Sequence, residues 1–578
     1  MTKDRNLLAS TTSSLWMTNS DNLLDIRNLE VAFPNEERNL ITVLKGINLS
    51  LRKGETLGIV GESGSGKSLT SLAIMGLLPA NAKVQKGEIL FGKADNSVDL
   101  LHLNSEKEFQ KIRGNRISMI FQEPMTSLNP VQKCGDQVAE VILLHRKCSK
   151  KEAHQSVIDL FERVELPRPE EIFNSYPHQI SGGQKQRVMI AMAVACEPEL
   201  IIADEPTTAL DVTVQKRILE LLRELCAENN SGLIFITHDL GVVSEIADRV
   251  LVMYQGEVVE EGAVKAILAS PKEPYTKALL ACRPKLSNNP VRLPVVSDFL
   301  GENQKRETPL KNQPKSQEVI LRAENLGVHF PLKQSGKHAP AYLKAVDNVS
   351  FEVKHGETLG LVGESGCGKS TLGRTLVGLQ EAHTGKAIYD GVQIAGGGAK
   401  FPSQFRRKVQ IIFQDPYSSL NPGKTVEEAL SEPLMVHGLV KSRSERSKRV
   451  ISILDKVGLP SAAAQKYPHQ FSGGQRQRIC IARTLMVEPE FIICDESVSA
   501  LDVSVQAKVL NLLNDLKDEL NLTYIFISHD LSVVKYMADR IIVMRSGKIE
   551  EIGESEAIYS APASAYTKSL IESIPEIG

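Results

Sequence analysis

The chain has 578 residues, 42% of them hydrophobic and 24% charged, and its 68 Lys and Arg against 70 Asp and Glu leave a formal net charge of -2. That balance is ordinary for a globular protein and argues against a general nucleic-acid binder, which carries a basic excess or patch. No run approaches the roughly 18 uninterrupted apolar residues of a membrane span, and MTKDRNLLASTTSSLW lacks the apolar core of a secretory signal, so a cytoplasmic chain is expected. Eight cysteines (Cys134, Cys148, Cys196, Cys226, Cys282, Cys367, Cys480 and Cys494) are scattered without a CxxC pair. They read as reduced thiols, not as a disulfide framework or a metal site.

Residues 1–21 are rich in Ser and Thr, hold the only tryptophan, Trp16, and read as a disordered tail, with translation from Met17 as an open alternative. From residue 22 the chain is two copies of one unit. KGETLGIVGESGSGKS (53–68) returns as HGETLGLVGESGCGKS (355–370), and YPHQISGGQKQR (176–187) as YPHQFSGGQRQR (467–478). Length alone suggests about four domains at roughly 150 residues each, and the repeat overrides that expectation. Gly61 maps to Gly363 at an offset of 302 and Gln122 to Gln414 at 292, while Ser181 to Ser472, Asp204 to Asp495 and His238 to His529 are each 291 apart. The first copy therefore carries a surface-loop-sized insertion between its glycine loop and its glutamine. The polar, proline-bearing stretch 286–317 reads as a linker between a first domain at 22–285 and a second at 318–578.

Within each copy, TLGIV and TLGLV are short apolar runs ending in a glycine loop, with helix predicted after Ser68 and Ser370. LIIADE, GLIFITHD, FIICDE and TYIFISHD are also strand-length and apolar throughout. Such runs predict strands buried on both faces, as in a parallel sheet flanked by helices. A helical subdomain is expected between Gln122 and Ser181 and between Gln414 and Ser472. The basic run KSRSERSKR (441–449) falls there as a solvated helix face.

G-x-x-x-x-G-K-[ST] occurs as Gly61, Glu62, Ser63, Gly64, Ser65, Gly66, Lys67 and Ser68, and again as Gly363, Glu364, Ser365, Gly366, Cys367, Gly368, Lys369 and Ser370. Glycines let the loop turn its N–H groups toward phosphate oxygens, and the following helix adds its positive end. The lysine reaches the β and γ phosphates, and the serine hydroxyl ligates Mg²⁺. Asp204 and Asp495 end buried strands and are expected in the Mg²⁺ shell, with Glu205 and Glu496 placed to polarise a water for in-line attack. Cys367 stands where the first copy has Ser65. A helix start can lower a thiol pKa and make ATP-protected alkylation an expectation, although a small residue that merely fits the loop is the plainer reading.

SGGQ, at Ser181, Gly182, Gly183 and Gln184 and at Ser472, Gly473, Gly474 and Gln475, resembles the signature of ATP-binding cassette (ABC) ATPases. The chain looks like two such cassettes fused, covering nearly everything from residue 22. The resemblance implies an α/β fold of tandem P-loop NTPase domains, each a mainly parallel sheet core with a small antiparallel β subdomain and a helical subdomain. It also implies roles. Gln122 in FQEP and Gln414 in FQDP would sense metal and attacking water, completing the Mg²⁺ sets Ser68, Gln122, Asp204 and Ser370, Gln414, Asp495. Asp211 and Asp502 in ALD would communicate between domains, His238 in THD and His529 in SHD would contact the γ-phosphate, and Phe33 and Phe330 would stack on adenine. Head-to-tail pairing within the chain would bring Lys67 to Ser472 and Lys369 to Ser181, with ATP and Mg²⁺ between them. Ile180 and Phe471 replace a common Leu, and Ser497 stands where the first copy has Pro206; both sites nonetheless keep every reacting group.

QEPMTSLNPV and QDPYSSLNPG, VTVQ and VSVQ, and EPYTKALL with AYTKSL resemble the dipeptide, oligopeptide, glutathione and nickel importer ATPases. This implies an ATP-hydrolysing motor on the cytoplasmic face of the plasma (inner) membrane, peripheral to it. Its partners would be two transmembrane permease subunits and an extracytoplasmic solute-binding protein, with peptide as leading cargo ahead of glutathione and nickel. Only Cys282 follows the PYT segment closely, so the iron–sulfur cluster of some members is not implied. The alternative is a soluble tandem cassette acting on the ribosome or DNA, but 286–317 lacks the long basic helix such proteins carry, and no nucleic-acid partner is expected.

Overall fold

The uninterrupted apolar runs become the buried strands of two matching sheets. The computed structural model describes residues 22–35, 37–93, 96–103, 105–122, 127–208, 210–286, 290–301, 316–331 and 342–574. The expected tail 1–21, with Trp16 and Met17, lies outside the described residues, as do residues 302–315 of the expected linker.

In the first copy a six-stranded sheet runs in the order Glu257–Ala263, Arg249–Tyr254, Thr56–Val60, Gly232–Thr237, Leu200–Asp204, Ile117–Ile120. All neighbours are parallel except the antiparallel edge strand Glu257–Ala263. The second copy repeats this as Lys548–Glu554, Arg540–Arg545, Thr358–Val362, Thr523–Ile527, Phe491–Asp495, Val409–Ile412. Every residue of LIIAD and GLIFIT is buried, as the two-sided hydrophobicity requires. Parallel strands end on one edge of the sheet. The residues following Val60, Ile120, Asp204 and Thr237 are therefore delivered to the same place, where open α/β sheets bind ligands.

Each copy adds a four-stranded antiparallel sheet, Leu40–Arg52, Asn22–Pro34, Lys83–Phe91, Val98–Asp99 in the first and Tyr342–Lys354, Val319–Pro331, Thr384–Tyr389, Val392–Ala395 in the second. One apolar core joins the two sheets of a copy: Leu24, Ile26 and Leu29 pack with Leu57, Ile59, Ile202 and Ile236. A hydrogen-bonded turn links them as well. Gly256 donates its N–H to Ser65 O (3.1 Å) in the glycine loop and accepts from Lys45 N–H (2.9 Å). Only glycine fits there, because φ is +83° and a Cβ would sit 1.8 Å from Val43 O. Gly547 repeats the link to Cys367 O (3.0 Å) and Asp347 N–H (2.8 Å).

The helical segments expected between Gln122 and Ser181 include Cys134–His145, Lys150–Arg163 and Pro169–Phe173, and those between Gln414 and Ser472 include Pro416–Ser419, Val426–Val436 and Arg443–Lys456, with Gly182–Val194 and Gly473–Leu485 following them. KSRSERSKR lies at the start of Arg443–Lys456, a helix that buries only Val450 and Leu454. Between its glycine loop and Gln122 the first copy forms the turn Leu100–His102 and the helix Glu106–Ile112.

By contacts the chain divides into two units, Met1–Pro206 with Ile218–Ser270, and Thr207–Arg217 with Pro271–Gly578. The stretch 286–317, expected as a linker, falls within the second of these units where it is described. The described part of that stretch is docked within the second unit. Asn511 accepts from Leu293 N–H (3.0 Å) and donates to Leu293 O (2.8 Å), Arg292 pairs with Asp515 at 2.7 Å, and Val296–Phe299 forms a short helix. Polar, proline-bearing composition is a local signal. Backbone groups satisfied by a helix residue 218 positions away leave no local trace.

A buried ion pair anchors the second sheet. Glu357, 1% exposed, accepts from Arg540 Nη1 (3.0 Å) and Lys354 N–H (2.7 Å). Removing the cation strands a buried carboxylate, so Arg540→Met is expected to lower unfolding free energy by about 3–5 kcal/mol in urea titration; a loss below about 1 kcal/mol would contradict the pairing.

Candidate nucleotide sites

Each glycine loop starts its helix from a left-handed glycine, Gly66 at φ 102° before Lys67 and Gly368 at φ 107° before Lys369. The lysines fold back on their own loops. Lys67 Nζ donates to Gly61 O (2.7 Å) and Glu62 O (2.9 Å), and Lys369 Nζ to Gly363 O (2.7 Å) and Glu364 O (2.9 Å). Both are nearly buried, at 5% and 4% exposure. Each cation is thus held beside the loop by backbone oxygens, at the place from which it can reach a phosphate.

One residue on, Ser68 Oγ donates to Asp204 Oδ1 at 3.1 Å and Ser370 Oγ to Asp495 Oδ1 at 2.7 Å. A hydroxyl and a carboxylate side by side form an all-oxygen donor set that fits Mg²⁺, which keeps most of its remaining shell as water and phosphate. Burial pushes the Asp204 carboxyl up to about 6; Ser68 and Lys67 oppose the rise and Glu205 adds to it. Burial likewise raises Asp495, against Ser370 and with Glu496. A dication at this place would relieve both.

Glu205 and Glu496 follow directly, and their backbones enter the left-handed region at φ 48° and 46°. For a glutamate that conformation costs about 1–3 kcal/mol and is kept where the surroundings impose it. Here the imposing contacts are Glu205 N–H to Ile236 O (2.9 Å) and Glu496 N–H to Ile527 O (3.0 Å). The kink aims each side chain across the strand ends. Glu205 Oε2 accepts from Gln122 Nε2 (3.1 Å) and Oε1 lies 3.4 Å from His238 Nδ1. Glu496 Oε2 accepts from Gln414 Nε2 (2.7 Å) and lies 3.5 Å from His529 Nδ1. Burial disfavours the charge on Glu496, but the hydrogen bond and charge of His529, with Lys369, outweigh it and hold the carboxyl below its ordinary range. A glutamate kept anionic beside a glutamine and a histidine can orient a water by accepting its proton, while the imidazole can donate toward developing charge.

Both SGGQ segments begin helices through reciprocal capping. Ser181 Oγ accepts from Gln184 N–H (3.3 Å) and Gln184 Oε1 from Ser181 N–H (2.9 Å), and Ser472 and Gln475 repeat this at 3.4 and 3.0 Å. Gln184 and Gln475, expected at ATP, are engaged in this local cap. The serines stay exposed at the positive helix end beside Gly182, Gly183, Gly473 and Gly474. Phe33 and Phe330 end antiparallel strands, Phe33 half-buried against the first core and Phe330 36% exposed. Asp211 accepts from Val214 N–H (2.9 Å) and, within the second unit, from Ser365 N–H (3.3 Å) of the glycine loop. Asp502 begins the helix Val503–Leu520.

The thiol of Cys367 departs from expectation. It is buried 3.8 Å from Lys369 Nζ, and burial raises its pKa despite that cation. The structure therefore supports the plainer reading, a small residue filling the loop where the first copy has Ser65. Two features escaped the sequence reading: the left-handed glutamates, which no composition signal marks, and Tyr566. The tyrosine stands in the quoted AYTKSL, yet only the structure brings its hydroxyl to the Glu364 N–H at 3.3 Å.

A glycine loop, a strand-end acid pair, a glutamine, a histidine and a capped SGGQ helix, all present twice, define an ATP-binding cassette ATPase duplicated in one chain. Residues 44–208 and 346–499 match the ABC transporter family, and residues 259–298 and 551–578 match the oligopeptide/dipeptide transporter C-terminal region. The chain belongs to the ABC transporter family, whose ATP-binding subunits bind Mg²⁺ and ATP and hydrolyse ATP. It is 47% identical over 563 residues, 96% of this chain and 90% of the relative, to the glutathione import ATP-binding protein GsiA of Escherichia coli strain K12. The protein of the same name from Salmonella choleraesuis strain SC-B67 is 47% identical over 568 residues, with the same coverage of 96% and 90%. Among solved structures, dimeric MJ0796, a bacterial ABC transporter cassette, aligns at 32% identity over 42% of this chain and 98% of its own, with a TM-score of 0.37. Among the described residues no helix is long and apolar enough to cross a membrane.

The raised Asp204 pKa has a direct consequence, because metal and proton compete for the same carboxylate. In a Lys369→Ala chain, where only the first loop is intact, the Mg²⁺-ATP affinity advantage of Asp204 over Asp204→Asn should shrink as pH falls through about 6. Calorimetric titration across that range checks this; a constant advantage down to about pH 5 would contradict it.

Proposed function

We propose that the chain is the motor subunit of an importer and that it powers uptake of short peptides. Its ATP-binding role within an ABC transporter follows from family membership, and partner permeases follow from the importer relatives. The observation that carries the finer reading is the C-terminal region of oligopeptide/dipeptide transporters, found after both cassettes. Glutathione, which the 47%-identical relatives are named for importing, is itself a tripeptide and falls in this class.

The proposed cycle needs both cassettes. Each Mg²⁺-ATP sits between one glycine loop and the other signature, Lys67 with Ser472 and Lys369 with Ser181, so that binding draws the pair together and hydrolysis releases it. Glu205 and Glu496 act as general bases, His238 and His529 steady the γ-phosphate, and Gln122 and Gln414 report occupancy toward the permeases. The chain works from the cytoplasmic face, peripheral to the membrane, with two permease subunits and an extracytoplasmic solute-binding protein.

Affinity purification in mild detergent from native membranes tests this, using the full chain with Glu205→Gln and Glu496→Gln to hold ATP. Two polytopic membrane proteins, with a peptide-binding partner, are the expected companions. Ribosomal or DNA-repair proteins without a permease would contradict the importer reading.

A further inference from the structure

The C-terminal region matched at 551–578 touches the second phosphate loop through one side chain. Tyr566 Oη accepts from the Glu364 N–H at 3.3 Å, and its ring lies against the Arg545 guanidinium at 4.7 Å. Arg545 ends the strand whose next turn, at Gly547, donates to Cys367 O of the same loop at 3.0 Å. The loop is therefore held from two directions by elements that neither bind phosphate nor carry the acid pair.

The tyrosine is itself fixed. Its helix, Ala565–Glu572, is tied to the edge strand Lys548–Glu554 where Glu551 accepts from Ala563 N–H (2.8 Å) and Ser564 N–H (3.1 Å). Ser564 Oγ also donates to Glu550 (2.7 Å) and accepts from Tyr566 N–H (3.2 Å). The restrained residue is a sensitive one: Glu364 gives its N–H to Tyr566 and its carbonyl to Lys369 Nζ at 2.9 Å. Tyr566 thus fixes the residue on which the phosphate-seeking lysine rests.

We infer that Tyr566 is a positioning residue for the second nucleotide site, through which the C-terminal helix pre-organises the phosphate loop around Lys369. The inference rests on the reading of that loop as an ATP site. The same offset of 291 that relates the copies gives Tyr275 as the counterpart of Tyr566, but Tyr254, Val259 and Glu273 as counterparts of Arg545, Glu550 and Ser564. Arg545 and Ser564 thus have no identical counterpart in the first copy, and the contact of Tyr566 is with the second loop, so the effect of changing Tyr566 is read at that site.

The test uses the full chain in two backgrounds, Lys67→Ala to isolate the second loop and Lys369→Ala to isolate the first. Tyr566→Phe keeps the ring on Arg545 and removes the hydroxyl. It should weaken Mg²⁺-ATP binding about fivefold at the second loop, the scale of one net hydrogen bond, with no change at the first loop or in melting temperature. Tyr566→Leu, which also removes the ring, should weaken second-loop binding further. Wild-type affinity in Tyr566→Phe, or an equal loss at both loops with a lowered melting temperature, would overturn the inference. Absence of ATP binding in the Lys67→Ala parent itself would overturn the nucleotide-site reading beneath it.

Discussion

A short bond from serine to aspartate ties each site together: Ser68 to Asp204 at 3.1 Å and Ser370 to Asp495 at 2.7 Å. It crosses from the helix that follows the central strand to the end of a strand two places over in the sheet. Parallel pairing fixes the height of those strand ends, and the bond fixes the separation of loop and acid. The glutamate, glutamine and histidine then converge because they follow neighbouring strand ends. A shift of the acid strand by one residue would turn Asp204 to the other face of the sheet and dissolve the set.

The same arrangement gathers charge where water is scarce. Asp204 is driven up to about 6 by burial, Asp495 rises for the same reason, and the nearest lysines are occupied by loop carbonyls. Glu496 goes the other way because His529 and Lys369 compensate its burial. Two adjacent acids with opposite shifts suit two tasks, one waiting for a dication and one already able to accept a proton. The left-handed backbone at Glu205 and Glu496 belongs to the same economy of position, since it lets consecutive side chains face the serine hydroxyl and the glutamine and histidine.

Much of this was legible before any coordinates, because the chemistry is written in short, contiguous strings. GESGSGKS, IIADE and SGGQ each occupy one loop or strand end, and continuous hydrophobicity identified the parallel strands. What stayed hidden depends on residues far apart in the chain. The docking of Leu293 on Asn511, the turn of Gly256 beneath Ser65 and the reach of Tyr566 to Glu364 each join segments that share no local pattern. Gln184 and Gln475 were legible as part of a motif, but their capping geometry shows that a residue inside a signature can serve its neighbour's backbone. Cys367 taught the opposite lesson about helix ends: burial outweighed the favourable field.

The central claim is that each copy holds a complete hydrolytic set focused on one glutamate. Phosphate release by the purified full chain with Mg²⁺-ATP, compared among wild type, Glu205→Gln, Glu496→Gln and the double variant, tests it most directly. The account predicts that each single change lowers turnover and that the double variant still binds Mg²⁺-ATP while hydrolysis falls by about 10²-fold or more, the scale of a lost general base. Hydrolysis at the wild-type rate in the double variant would contradict it.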